Sequence, residues 1–339
     1  MKNGDVDFLE EKKRLLSDLC RARGGVCELR ETHMSWLFLG AERVYKLKKA
    51  VRYPFLDFSS VARRRYFCFE ELRLNRRLAG KTYISVVPIC RTADGGLRAG
   101  DVGGVGEAID WVVEMLRLPD RDMLDYRMQS ASVESSDIDA VALLLSDFYR
   151  SLLSEHVVCE HQVAYMSEQL EGDATVLCRE EFGLAQQVSP LLVKAREELA
   201  ECTSELHRRM RAGWFREGHG DLRPEHVWLG RPLQIIDCLE FNRMMRIVDP
   251  YQEVAQLGME CSVAGYPWIA DFLTARVAGD LGGKPSERLL QFYTATKALL
   301  RARLCMAHLL EKEPREPSKW QPLALRYIGV ASRSFRDPE

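Results

Sequence analysis

The chain of 339 residues lacks several features that would assign it to a specialised class of protein. Its ten cysteines are scattered and include no Cys-x-x-Cys pair. This spacing argues against a scaffold of disulfides and against a zinc site, and it favours reduced thiols in a cytoplasmic protein. No apolar run approaches the ~18 residues of a membrane span, and the charged start of the sequence is unlike a signal segment. We therefore expect no association with a membrane. The sequence also shows no internal repeat and no low-complexity segment.

The chain also lacks a large excess of positive over negative charge, or of negative over positive. The formal net charge is −2, so a strongly basic surface that binds nucleic acid is not expected. The arginines at 63–65, together with Arg73, Arg76 and Arg77, are interpreted as a solvated helix face. An apolar content of 46% and a charged content of 29% are ordinary for a globular protein. The length is sufficient for two lobes with a sizeable core.

Strand patterns gather in the first third of the chain, and helix patterns dominate the rest. Short strand-like runs, some flanked by turn signals, predict strands over 26–30, 35–39, 43–48, 85–90, 97–99 and 108–115. Helical periodicity predicts helices over 6–23, 60–79, 120–129, 136–155, 179–212, 247–262, 267–280, 286–311 and 320–335. Residues 100–106, 172–178 and the last few are expected to be irregular. This order predicts an α+β protein with a strand-rich N-lobe, 1–115, and a helical C-lobe, 116–339.

The most informative segment is 219–226, which reads His-Gly-Asp-Leu-Arg-Pro-Glu-His, with Asp237 following two isoleucines. Asp221 could orient an acceptor hydroxyl and receive its proton, and Arg223 could neutralise a transferring phosphate. A hairpin with strands over 227–229 and 233–236 would bring Asp221 and Asp237 to the same end of a cleft. One acid in a loop and a second at the end of a short strand are what phosphoryl transfer from ATP requires.

The sequence His-Gly-Asp-Leu resembles the catalytic loop of aminoglycoside phosphotransferases, choline kinases and related small-molecule kinases of the protein-kinase-like superfamily. The resemblance implies a two-lobed kinase-like fold, with a nucleotide-binding N-lobe and a C-lobe that holds the catalytic loop and the acceptor site. It implies ATP and Mg²⁺ as cofactors and a small-molecule hydroxyl as acceptor. It also implies Asp221 as catalytic base, with His219 and Arg223 in the same loop, and Asp237 as metal ligand.

Other stretches resemble a particular bacterial branch of uncharacterised phosphotransferase-like proteins. They are residues 44–49 leading to 55–59, residues 70–78, and residues 239–242. Some members of that branch carry a further P-loop ATPase domain. This sequence contains no Gly-x-x-x-x-Gly-Lys-[Ser/Thr] motif, so we expect that domain to be lacking here. A protein kinase is disfavoured, because Asp237 is followed by Cys-Leu-Glu and not by Phe-Gly.

His226 departs from the family pattern, which has an asparagine there that binds a second metal ion. Imidazole is a poor ligand for Mg²⁺ and a better one for Mn²⁺ or Zn²⁺. The metal candidates are therefore Asp237, His226 and Glu240, with four alternatives: one metal ion, substitution by Glu240 or another carboxylate, an altered metal preference, or lost catalysis. Lost catalysis would leave a nucleotide-binding regulatory pseudokinase with little or no turnover, and this is the alternative hypothesis.

The lysine that holds the nucleotide phosphates is expected on strand 43–48. Alternation places Val44, Lys46 and Lys48 on one face of that strand. Lys46 is preferred, because Val44 two positions earlier would lie beneath the base, and Lys48 is the second choice. The ion-pair partner is expected to be Glu71 of helix 60–79, with its neighbour Glu70 as the alternative.

Two further segments are candidates for nucleotide contacts. Ser35 follows the loop between the first two strands and could touch phosphates, although that loop has no glycine. The backbone atoms of Glu114, Met115 and Leu116 are candidates for adenine contacts at the end of strand 108–115. In the second half, Arg301 either reaches the substrate or pairs with nearby acids.

Overall fold

The computed structural model describes residues 3–100 and 107–336, and only the backbone of residues 3–7. Most of the predicted irregular segment 100–106 therefore lies outside the described residues. The strands are β1 Glu28–Glu31, β2 Ser35–Leu39, β3 Arg43–Lys48, β4 Arg52–Tyr53, β5 Leu56–Asp57, β6 Tyr83–Arg91, β7 Leu97–Ala99, β8 Ala108–Leu116, β9 Arg216–Glu217, β10 Val227–Trp228, β11 Gln234–Ile235 and β12 Ile247–Val248. The helices are α1 Asn3–Ala22, α2 Val61–Asn75, α3 Leu124–Gln129, α4 Ser135–Ser151, α5 Cys159–Leu177, α6 Ala185–Arg211, α7 Pro250–Val263, α8 Trp268–Leu281, α9 Glu287–His308 and α10 Pro317–Ser334.

The chain folds into two units. The first contains residues 1–126 and 226–245, and the second contains residues 127–225 and 246–339. The hairpin of β10 and β11, which the sequence predicted, belongs to the first unit. The α+β class with strands early and helices late is confirmed. The lobe boundary expected after residue 115 stays a prediction.

The first unit is built on a six-stranded antiparallel sheet in the order β1-β2-β3-β8-β6-β7. Apolar side chains cover both of its faces, because successive residues of a strand point to opposite sides. Val44 and Val113 belong to the core that includes Leu72 of α2, while Tyr45 and Val112 belong to the core that includes Leu16 of α1. The predicted alternation along strand 43–48 is thus confirmed.

One arginine of the basic run on α2 is not on a solvated face. Arg64 is buried and donates to both carboxylate oxygens of Asp110 on β8, at 2.7 and 3.1 Å. Lys12 of α1 contacts the same carboxylate at 2.7 Å. The prediction of a solvated face was wrong at Arg64, because the buried carboxylate of Asp110 on β8 compensates its charge.

The second unit is mainly helical, and it contains a helix that the sequence did not predict. α5 covers Cys159–Leu177, and it includes most of the segment 172–178 that was expected to be irregular. The buried positions of α5 follow helical spacing, but two of the five, Gln162 and Asp173, are polar. The apolar periodicity that reveals an amphipathic helix is therefore interrupted. No helix in the described part of the chain has both the length and the hydropathy needed to cross a membrane.

Candidate active site

Asp237 ends the β10–β11 hairpin in a strained backbone conformation. Its φ is 61°, in the left-handed region that residues other than glycine rarely adopt. Hydrogen bonds on both sides hold this geometry: the Asp237 amide donates to the Tyr83 hydroxyl at 3.1 Å, and the Cys238 amide donates to Asn75 Oδ1 at 2.9 Å. Backbone strain of this kind is characteristic of functional sites. Sequence reasoning had not identified Tyr83 or Asn75 as supports of Asp237.

Lys46 lies between two carboxylates of the first unit. Its Nζ is 2.9 Å from Glu71 Oε1 and 2.7 Å from Asp237 Oδ1. Glu71 is fully buried on α2, whereas the Asp237 side chain is 45% exposed. The strand, the helix and the hairpin thus bring together three predicted site residues. Glu70, the alternative to Glu71, instead pairs with Arg73 at 2.6 Å.

Lys48 forms a second, deeper ion pair on the same face of β3. Its Nζ is 2.5 Å from Glu71 Oε2, contacts Glu240 and has no exposed surface. Glu71 therefore joins the two lysines, one oxygen to each. Glu240, a predicted metal ligand, is also buried against Lys48.

The charges of this cluster shift one another's proton affinity. Burial opposes the charged form of Lys46, but Asp237, Glu71 and Glu240 outweigh it and raise its pKa well above the usual value. Burial acts against ionised Glu71 as well, yet Lys46 and Lys48 lower its pKa overall. For Glu240, burial prevails over Lys48 and raises the pKa. The lysines are therefore firmly cationic.

His226 lies beside Asp237. Its Nε2 is 3.6 Å from Asp237 Oδ2, and its carbonyl accepts from the Ile236 amide at 2.9 Å. The hairpin thus aligns the residue before β10 with the residue after β11. An imidazole and a half-exposed carboxylate at this distance are two potential ligands for one divalent cation.

The other nucleotide-binding candidates lie on the sheet. Ser35 is buried, and its amide donates to Thr32 Oγ1 at 2.9 Å, which closes a tight turn. The Glu114 carboxylate accepts from the Ser85 hydroxyl at 2.9 Å, and the Leu116 amide donates to the Thr82 carbonyl at 2.8 Å. The Leu116 N–H is therefore already used by the protein. The adenine contacts expected at Glu114, Met115 and Leu116 stay predictions.

In the second unit, a buried glutamate holds the backbone of the His-Gly-Asp loop. Strands β9 and β12 pair antiparallel, so the loop that follows β9 starts close to the first turn of α7. Glu253 on that turn accepts from the amides of His219 at 3.1 Å and Gly220 at 2.5 Å, and from the Tyr149 hydroxyl at 2.7 Å. A Cβ at Gly218 would lie 2.6 Å from Glu253, so only glycine leaves room for the carboxylate.

The side chains of this loop form a polar cluster. Asp221 Oδ1 accepts from Gln256 Nε2 at 3.2 Å, and its Oδ2 is 3.2 Å from Arg223 Nε. Arg223 also pairs with Glu225 at 3.1 Å. His219 is fully buried, and its Nδ1 accepts from the Asp221 amide at 3.3 Å. His219 therefore shapes the loop, while Asp221 and Arg223 present the charged groups.

Sequence reasoning missed Gln256 and Lys297 in this unit. Lys297 on α9 is buried and lies within the electrostatic reach of Glu253 and Asp221. A lysine among apolar residues of a helix, as in 292–299, was the available signal. Arg301, one turn later, pairs with Glu260 at 2.6 Å, which is the second of its two predicted alternatives.

Solved structures of small-molecule kinases share the fold of this chain. A choline/ethanolamine kinase family protein from Mesorhizobium loti aligns with a TM-score of 0.53 and 13% identity, over 95% of this chain and 96% of that one. A choline kinase from Cryptosporidium parvum gives 0.55 and 9%, over 95% of each chain. A thermostable mutant of an aminoglycoside phosphotransferase gives 0.54 and 11%, over 94% of this chain and 98% of that one.

Curated relatives are found in mycobacteria. Uncharacterised proteins of Mycobacterium tuberculosis and Mycobacterium bovis are each 25% identical over 320 residues, or 91% of this chain. The chain spans about 60% of the length of these relatives. No family model matches it. The chain therefore has the two-lobed fold of the choline kinases and aminoglycoside phosphotransferases.

Proposed function

We propose that this protein transfers the γ-phosphate of ATP to a hydroxyl group of a small molecule. The observation that carries the proposal is the contact of Lys46 with both Glu71 and Asp237, at 2.9 and 2.7 Å. A lysine fixed by a buried helix glutamate and placed next to an exposed aspartate is the arrangement that kinases use on nucleotide phosphates. Lys46 would bind phosphate oxygens, and Glu71 would keep its ammonium group in place.

Asp237 and His226 would hold the divalent cation. The exposed carboxylate of Asp237 and the imidazole 3.6 Å from it are a donor set that suits Mn²⁺ better than Mg²⁺. When bound, such an ion neutralises charge on the phosphates. Glu240 is a weaker candidate, because the buried ammonium of Lys48 already compensates its carboxylate.

Asp221 would act on the acceptor. The acceptor oxygen forms a bond to the γ-phosphorus, the bond from that phosphorus to the β–γ bridging oxygen breaks, and ADP leaves. The hydroxyl proton goes to Asp221, whose carboxylate Gln256 orients at 3.2 Å. Arg223 would neutralise charge on the moving phosphoryl group. Catalysis would thus rest on positioning and charge neutralisation.

The solved structures give support at the level of the fold. The aminoglycoside phosphotransferase has also been solved as a thermostable mutant in ternary complex with AMP-PNP and hygromycin B, and that structure aligns with a TM-score of 0.50 and 12% identity. A fold that binds AMP-PNP together with a small molecule is compatible with the proposed reaction. Because one fold hosts many acceptors, this support does not extend to the acceptor.

The test is transfer from γ-labelled ATP to a metabolite extract, with Mg²⁺ or Mn²⁺, followed by mass spectrometry of new phosphorylated species. Asp221→Asn keeps the shape of the side chain but cannot accept the proton. We expect ATP binding to survive and turnover to fall by about 10²–10⁴-fold, the usual contribution of a general base. Asp147→Asn, at an exposed residue of α4, is the matched control and should leave turnover unchanged.

A second candidate function is a nucleotide-binding regulatory pseudokinase. The observation that favours it is His226 next to Asp237, where the kinases that the loop resembles have asparagine. The same experiment separates the two functions. If wild type and Asp221→Asn both bind ATP, and neither phosphorylates any compound above background, the phosphotransferase proposal fails and the regulatory one takes its place.

A further inference from the structure

Two polar contacts, two to three helical turns apart, join α9 to α7 and to the residue before it. Near the start of α7, Asp249 accepts from the Tyr293 hydroxyl at 3.2 Å. Near the other end, Glu260 pairs with Arg301 at 2.6 Å. In both contacts a buried acid, one on α7 and one at its N-cap, meets a partner on α9. Glu253 and Lys297 lie between these two contacts, because Glu253 follows Asp249 by one turn and Lys297 precedes Arg301 by one turn.

Glu253 and Lys297 do not form an ion pair of hydrogen-bonding length with each other. The two Glu253 oxygens accept from the His219 and Gly220 amides and from the Tyr149 hydroxyl, so the carboxylate is occupied by the catalytic loop. Lys297 forms no hydrogen bond or ion pair of hydrogen-bonding length with any described residue, although it is only 9% exposed. A lysine side chain so largely withdrawn from water, with no carboxylate in hydrogen-bonding contact, is unusual, because moving a charge out of water costs free energy.

The surroundings of Lys297 point towards the reaction site. Burial lowers its pKa, and the negative charges that oppose this effect are those of Glu253 and Asp221. Asp221 is thus near enough to act on Lys297 electrostatically. Gln256, which donates to Asp221, has a buried Oε1 without a hydrogen-bond partner in the described residues. One largely buried cation and one buried acceptor without a partner in the described residues therefore lie around the proposed base.

These two groups have complementary requirements. An unpartnered ammonium needs an anion, and an unpartnered amide oxygen needs a hydroxyl or amine donor. A hydroxy acid supplies both, and its hydroxyl is the group that Asp221 would deprotonate. A monoanion fits better than a dianionic phosphate, because Glu253 and Asp221 already place two negative charges near Lys297.

We propose that Lys297 binds the carboxylate of the acceptor, and that the protein phosphorylates a hydroxy acid and not an amine-bearing alcohol. The inference rests on the proposed phosphotransferase function and names the substrate class of its site. Arg301 is not available for this role, because Glu260 engages it. Lys297 is therefore the residue that would distinguish hydroxy acids from neutral and cationic alcohols.

The experiment compares matched acceptors of three sizes in transfer from γ-labelled ATP. The triplets are glycolate, ethylene glycol and ethanolamine; glycerate, glycerol and 2-amino-1,3-propanediol; and gluconate, glucitol and glucosamine. We expect the hydroxy acid to be the best acceptor within at least one triplet. Lys297→Met should raise its KM about 10–100-fold, the effect of losing one hydrogen bond to a charged group, and leave the KM for ATP unchanged.

Two variants and one physical measurement exclude a structural explanation. Lys297→Arg keeps the charge and should retain part of the preference for the hydroxy acid. Lys284→Met removes an exposed lysine just before α9 and should change neither KM. If Lys297 only stabilised the fold, Lys297→Met would lower the melting temperature. We expect it to stay the same or rise, because an unpartnered buried charge is removed.

Calorimetric titration of the same acids keeps this inference separable from the phosphotransferase proposal. Binding of a hydroxy acid that Lys297→Met abolishes, without phosphorylation of any compound, would support Lys297 as the carboxylate-binding residue and contradict phosphoryl transfer to that acid. Phosphorylation of an amine or neutral alcohol that is insensitive to Lys297→Met would support the phosphotransferase and overturn the inference. Failure of every hydroxy acid to bind or to be phosphorylated would also overturn it.

Discussion

Lys46 and Lys48 lie two residues apart on one face of β3 and contact the same glutamate, yet replacing them should have opposite consequences. Lys48 has no exposed surface and contacts Glu71 and Glu240. Lys48→Met keeps the length of the side chain and removes its charge. Two buried carboxylates would then depend on Lys46 alone. Removing one partner of a buried ion pair costs about 3–5 kcal/mol, a large share of the ~5–15 kcal/mol that stabilises a typical domain.

Lys46→Met should cost less stability and more activity. Asp237 is 45% exposed, so water can solvate its carboxylate when the lysine is gone, and Glu71 keeps its contact with Lys48. The expected loss is about 1.5–3 kcal/mol, the range for hydrogen bonds to charged groups. Turnover should fall most in this variant, because the proposed contact with the nucleotide phosphates is lost.

The assay pairs urea unfolding, followed by tryptophan fluorescence, with transfer from γ-labelled ATP. Lys81→Met removes an exposed lysine of the same unit and is the control for the loss of one positive charge. Because the chain has two units, the unfolding curve is to be fitted with more than one transition if the data require it. If Lys48→Met is as stable as wild type and loses more ATP affinity than Lys46→Met, the assignment of the two lysines is wrong.

Two other predictions concern metal choice and pH. His226→Asn places beside Asp237 the residue found in the kinases that the loop resembles, and turnover with Mg²⁺ should rise relative to turnover with Mn²⁺. An unchanged ratio of the two rates would remove His226 from the metal site. Burial, opposed by Arg303, raises the pKa of Asp173 from 3.8 to about 7. The folded chain then binds more protons than the unfolded chain between these values, so this group's contribution to stability falls as pH rises from about 4 to 7. Each tenfold change in proton affinity is about 1.4 kcal/mol, so Asp173→Asn should unfold at higher urea concentration than wild type at pH 8 and at nearly the same concentration at pH 4. Equal differences at both pH values would show that Asp173 titrates normally.

The sequence determined the local structure wherever side-chain periodicity carried the information. The bounds predicted for β2, β3 and β7 agree with the structure, because each alternates between two apolar cores or ends at a turn. The loop at 219–226, the hairpin after it and the α+β class were also predictable, since they depend on residues close together in the chain. The helix α5 was not, because Gln162 and Asp173 occupy buried positions where the apolar pattern requires nonpolar residues.

Only the tertiary structure decided which charges meet. Glu71 is 23 residues from Lys48, and Asp237 is 191 residues from Lys46, so no local pattern could show that one carboxylate bridges two lysines. The same holds for Glu253, which reaches the loop amides from 33 and 34 residues away. Lys297 looked like one helical lysine among many. Its burial and lack of a partner arise from the packing of α9 on α7, because Glu253 across from it is already taken by the loop. Residues close together in the chain determine a helix or a strand. The free energy of a buried charge depends instead on groups that folding brings to it from distant parts of the sequence.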